Sequence, residues 1–107
     1  MVQVVRIDEH GGPDVLKIVD IETPQPGPGE VRIRVKALGL NRAEAMLRAN
    51  DYIEKGELPI GLGFEAAGIV DAVGEGVEAF APGDTVSVVP PLSQIRWPAY
   101  GEVAIFP

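Results

Sequence analysis

Apolar and polar residues alternate most cleanly at residues 30–38, EVRIRVKAL, where Val31, Ile33, Val35 and Ala37 are separated by Arg32, Arg34 and Lys36. Successive side chains of a strand point to opposite faces. This run therefore predicts a strand with its four apolar residues in a core and its three cations in water. Residues 2–8 (VQVVRID) predict a first strand and residues 16–22 (LKIVDIE) a second. In the second, Leu16 and Ile18 share one face and Val19 and Ile21 the other, which calls for a bulge or for burial on both faces. Further strands are expected at 67–74 (AGIVDAVG), around Val86 and Val88, and at 102–106 (EVAIF), where Val103 and Ile105 share a face.

The period changes at residues 41–50, NRAEAMLRAN, which place Ala43, Met46 and Leu47 on one helical face. Asn41 is a natural N-cap, and Glu44 three residues later completes the pattern of a capping box. Glu44 and Arg48 are spaced for an i,i+4 ion pair, and Asn50 with Asp51 ends the helix. The stretch TPQPGPGE holds three Pro and two Gly in eight residues and suits neither a helix nor a central strand. DYIEKGELPIGLG reads as a surface loop and PPLSQIRWPAYG as irregular. Six strands separated by turn residues, with one short helix, give a small barrel.

Composition narrows the class of function. A chain of 107 residues, 46% hydrophobic and 23% charged, makes one domain with one core that needs neither disulfide nor metal. The net charge of −7 argues against nucleic acid and against an anionic membrane surface as partners. No cysteine is present, which excludes a disulfide scaffold, thiolate zinc ligation, iron–sulfur clusters and a cysteine nucleophile. The first ten residues, MVQVVRIDEH, contain no apolar run of signal-peptide length, and no stretch reaches the length of a transmembrane helix. The expected location is the cytoplasm.

Few residues carry candidate chemistry. GLGFEA at 61–66 matches G-x-G-x-x-A, but a Pro-containing loop precedes it and a β-like run follows, so it lacks the strand–turn–helix setting of a pyrophosphate site. His10, the only histidine, lies beside Gly11 and Gly12 in an expected turn and is read as solvated. Asn41 serves as a helix cap whatever else it does. Tyr52 reads as a loop aromatic with a wet hydroxyl. Glu65 is either a solvated turn residue or a buried carboxylate held by backbone amides.

Taken in order, EHGGPDVLKIVDIETPQPGPGEVRIRVKALGLNRAEAMLRANDY, GFEAAGIVDAVGEGVEAFAPGDTV and AYGEVAIFP closely resemble the start of medium-chain dehydrogenase/reductase proteins, with the quinone oxidoreductase branch nearest. The resemblance implies a mainly β fold over residues 1–107: a GroES-like, partly open β-barrel with one or two short helices, forming the substrate-side domain. A Rossmann domain is expected downstream, with NADPH or NADH bound mainly by that domain in the cleft between the two. The superfamily's alcohol dehydrogenases ligate zinc through a Cys where Asn41 stands and through the His of a Gly-His-Glu motif that reads here Gly63-Phe64-Glu65. Neither replacement is a ligand, so the resemblance implies no zinc and no other metal site.

It further implies that Asn41 lines the cleft near the nicotinamide, that Tyr52 faces the substrate to orient its carbonyl or protonate it after hydride addition, and that Phe64 forms an apolar wall of the substrate site. The expected activity is hydride transfer to a quinone or an α,β-unsaturated carbonyl by the longer protein, with these residues inactive alone. The expected partners are a small-molecule substrate and the downstream domain, and a homodimer of the longer protein is compatible with the resemblance. The alternative is a GroES-like barrel acting as a non-catalytic assembly module, because AGIVDAVGEGV followed by APGDTVSVV also resembles the co-chaperonin's strand pattern.

Overall fold

The computed structural model describes residues 1–107. Seven strands form, β1 (Val2–Ile7), β2 (Lys17–Ile21), β3 (Val31–Gly39), β4 (Ile60–Gly61), β5 (Glu65–Val73), β6 (Thr85–Ser87) and β7 (Val103–Phe106), together with one helix, α1 (Arg42–Arg48). A single 3-10 turn spans Pro13–Val15. The strands make two antiparallel sheets, ordered β2-β1-β4 and β6-β5-β3-β7. They meet along one seam, where Val4 bridges Gly101, the Val5 N–H donates to Tyr100 O (2.9 Å) and the Glu102 N–H donates to Gln3 O (2.9 Å). Closure along one seam, with the outer edges of β2 and β6 unpaired, gives a partly open barrel that is mainly β with one short helix.

The long β3–β5 ladder frames the molecule and is broken by two bulges. At the first, Arg32 faces Ala72 while Ile33 faces Val70, which leaves Asp71 unopposed; its carboxylate accepts from Arg32 Nε at 2.7 Å. At the second, Val35 faces Gly68 and Ala37 faces Ala67, so Lys36 is the extra residue. An extra residue reverses which face the following side chains meet. Ile33, ahead of Lys36, is buried as the alternation expects, but Ala37, after it and expected in the core, is exposed.

Two apolar clusters fill the interior. Ile33, Ala66, Val70, Ala99, Ala104 and Phe106 form one, under the four-stranded sheet. Ile7, Val15, Leu47, Ile60 and Leu62 form the other, with Tyr52, Ile95 and Tyr100 packed against it.

Several sequence expectations are corrected by long-range contacts. The loop after Tyr52 is not wholly superficial, because Ile60 and Leu62 are buried and β4 adds to β1. The β1–β2 register runs without a bulge, so β2 buries one face only, holding Val19 and Ile21 inward and leaving Ile18 70% exposed. In β7, Ala104 and Phe106 enter the core as well as Val103. The buried positions of α1 are Glu44 and Leu47. Glu44 does not pair with Arg48, whose Nε donates instead to Gly11 O at 3.1 Å. His10 is not simply solvated: its Nδ1–H donates to Leu47 O (3.1 Å) and Arg48 O (3.3 Å) and so closes the C-terminus of α1.

Gly68 marks the tightest backbone approach within the β3–β5 ladder, since a Cβ there would lie 2.0 Å from the carbonyl oxygen of Arg34. Gly68→Ala is expected to cost about 3 kcal/mol in urea denaturation, through overpacking against backbone that cannot retreat. Gly76→Ala, where φ is +81° and the space is open, should cost only about 1 kcal/mol. Equal effects from the two substitutions would contradict this packing.

Candidate functional site

The site begins where the β3–β5 ladder ends. Gly39 pairs with Glu65, so Asn41, two residues beyond Gly39, and Phe64, one residue before Glu65, emerge from the same end of the ladder. Asn41 takes the extended conformation of an N-cap (φ −130°, ψ 151°), and its backbone N–H donates to Glu44 Oε1 at 3.1 Å. After α1 the chain turns at Asn50, whose φ is +62°. That left-handed turn sends Tyr52 back against the Leu47–Leu62 cluster. The Tyr52 ring meets Phe64 edge to face, with centroids 6.4 Å apart and planes at 68°. Aromatic pairs favour this arrangement because the positive ring edge points at the negative ring face. Tyr52 and Phe64 are thus in contact, whereas no hydrogen bond joins Asn41 to either.

Beneath these residues lies a polar network that local sequence patterns do not reveal. The Tyr100 hydroxyl donates to Glu44 Oε1 at 2.9 Å. Gln94, fully buried, accepts from the Gly63 N–H at 3.1 Å through Oε1 and donates from Nε2 to Ala43 O at 3.3 Å. Ser93 donates its hydroxyl to Glu54 Oε2, and the other Glu54 oxygen accepts from the Ile95 N–H at 3.5 Å. Gly63 has φ +107°, and a Cβ on it would strike the Tyr100 ring at 2.5 Å, which couples the two segments tightly. The capping-box pattern places Glu44 in the first turn of α1 but cannot show that it is buried. For Gln94, Ser93 and Tyr100 the only sequence signal is a run of irregular chain.

Two buried atoms in this region have no hydrogen-bond partner, Asn41 Nδ2 and Glu44 Oε2. Glu65 fits neither expectation. It lies half-buried in β5 over Gly39, where a Cβ would come within 2.5 Å of its Oε2. Beside it opens a hollow of about 300 Å³ edged by Leu38, Gly39, Glu65 and Ser87. The GLGFEA segment is no phosphate turn, because Gly61 ends β4 and Glu65 starts β5 with no helix between or after. No three His, Cys, Asp or Glu side chains cluster as metal ligands would. No helix is long and apolar enough to cross a membrane.

Burial, the hydrogen bond to Glu44 and the Glu44 charge together push the Tyr100 phenol above its ordinary value of about 10. Folding therefore favours protonated Tyr100, and the stability this gives is complete below pH about 10 and lost as pH rises towards the folded value. The urea midpoint should fall above pH about 10 in the wild type and fall less steeply in Tyr100→Phe. Identical alkaline profiles for the two proteins would contradict the coupling.

Comparison with known proteins places this architecture. Residues 27–101 match the alcohol dehydrogenase GroES-like domain. The chain is 41% identical over 87 residues to a quinone oxidoreductase of Rattus norvegicus, covering 80% of this chain and 26% of the relative. It is 38% identical over 110 residues to a 2-haloacrylate reductase of Burkholderia, covering all of this chain and 32% of that one. Among solved structures, a Pseudomonas syringae quinone oxidoreductase superposes with a TM-score of 0.87 at 41% identity, over 100% of this chain and 31% of its own. An Escherichia coli quinone oxidoreductase complexed with NADPH gives 0.83 at 34% identity, over 96% and 30%. This chain spans about a quarter to a third of the length of these relatives. Sequence and fold agree, and the chain belongs to the alcohol dehydrogenase GroES-like domain family of the medium-chain dehydrogenase/reductase superfamily.

Proposed function

We propose that residues 1–107 are the substrate-side domain of a zinc-independent, NADPH-dependent reductase acting on quinones or α,β-unsaturated carbonyls, with a Rossmann domain downstream. The observation that carries this reading is the 41% identity to a quinone oxidoreductase across 80% of the chain. The 2-haloacrylate reductase likeness extends the candidate substrates to activated alkenes. These relatives favour a reductase over an assembly module.

The residues present suit a nicotinamide. Asn41 Nδ2 is a buried amide donor with no partner in the chain, and leaving such a group unpaired costs about 1–3 kcal/mol. A carboxamide oxygen is a matching acceptor. When bound, NADPH supplies the hydride. Asn41 would hold its carboxamide, and the rings of Phe64 and Tyr52 would keep water from the reacting atoms. The Tyr52 hydroxyl orients the substrate oxygen and delivers the proton that follows the hydride. An amide at Asn41 and a phenyl at Phe64 ligate no zinc, so polarisation of the substrate oxygen falls to hydrogen bonds. Residues 1–107 alone lack the hydride source and carry no turnover.

In the longer protein carrying this chain, Tyr52→Phe is expected to lower kcat/KM at least about tenfold in NADPH oxidation against a panel of quinones and enones. Unchanged kcat/KM on every active substrate would remove Tyr52 from the reaction.

A further inference from the structure

The three candidate residues sit on three separate segments, and two consecutive residues bond to all three. The Ser93 hydroxyl donates to Glu54, two residues after Tyr52. Gln94 Oε1 accepts from the N–H of Gly63, the residue before Phe64. Gln94 Nε2 donates to the carbonyl of Ala43, two residues after Asn41. Gln94 is fully buried, and the Ser93–Glu54 contact is reinforced by the Ile95 N–H on the other Glu54 oxygen and by the Arg96 N–H donating to Ser93 Oγ at 3.0 Å. A buried glutamine costs free energy unless both ends of its amide are used. Here both ends are used, each on a different site segment.

We infer that Ser93 and Gln94 are the positioning residues of the site, fixing the separation of Tyr52, Phe64 and Asn41 without touching substrate. The inference deepens the reductase reading and rests on it for its kinetic consequence. Loosening the pair leaves the site residues present but misplaced. Small misplacements of reacting groups lower the rate of the chemical step more than they lower ground-state binding.

The test uses Gln94→Met, which keeps the volume and removes both hydrogen bonds, and Ser93→Ala, a one-atom deletion that keeps the chain folded if the first variant fails to fold. In this chain, Gln94→Met should raise amide hydrogen exchange at Gly63 about tenfold. Ser93→Ala should abolish the nuclear Overhauser contact between the Tyr52 and Phe64 rings, and Ser93→Thr should restore it. In the longer protein, kcat should fall on the order of tenfold in both variants while KM for NADPH stays within about twofold. Ser93→Thr should recover kcat. Unchanged Gly63 exchange and an unchanged ring contact in folded variants would overturn the inference. So would wild-type kcat in both variants. Should the wild-type longer protein oxidise NADPH with none of the quinones or enones, the reductase reading fails, while exchange and ring contact still decide whether Ser93 and Gln94 position the three segments.

Discussion

The pairing of β3 with β5 is the constraint on which the other features of this chain depend. Gly39 against Glu65 fixes where both strands end, and it thereby fixes where α1 and the Gly63–Phe64 turn begin. The ladder tolerates no side chain at Gly68, which faces the Arg34 carbonyl, and its two bulges re-aim side chains. One turns Asp71 towards Arg32, and the other sends Ala37 outward. Bulges re-aim side chains at the rims of barrels in this way.

Packing alone does not hold the segments at that end of the barrel. Leu47, Leu62 and Tyr52 share an apolar cluster, but hydrophobic contact is non-directional. Direction comes from buried polar groups that need specific partners: Glu44 on the Asn41 N–H and the Tyr100 hydroxyl, and Gln94 on Gly63 and Ala43. Two atoms in the same region are left without a partner, Asn41 Nδ2 and Glu44 Oε2, and of these Asn41 Nδ2 is the donor. Functional sites are where such local costs are retained.

The strand pattern of Val31, Ile33 and Val35 and the Asn41–Glu44 helix start were legible in the sequence, because both follow from local periodicity and capping chemistry. Ala37 was misread because a bulge depends on the partner strand. His10 was misread because its partners, Leu47 and Arg48, are distant in sequence. Gln94 and Ser93 carry no local pattern, and their roles exist only once residues 43, 54 and 63 are assembled around them. Asn41, Tyr52 and Phe64 came from family resemblance. Residue chemistry alone favoured a cap and a loop aromatic for the first two, and the edge-to-face contact of Tyr52 with Phe64 lies beyond periodicity.

The chain thus joins a rigid ladder, a buried polar brace and a small aromatic corner beside one unused amide donor. The proposed function turns on this amide meeting the nicotinamide. A crystal structure of the longer protein with NADPH bound measures it directly. Asn41 Nδ2 is expected within about 3.2 Å of the nicotinamide carboxamide oxygen. This expectation is contradicted if Asn41 Nδ2 is bonded instead to an acceptor of the protein, with the nicotinamide bound elsewhere.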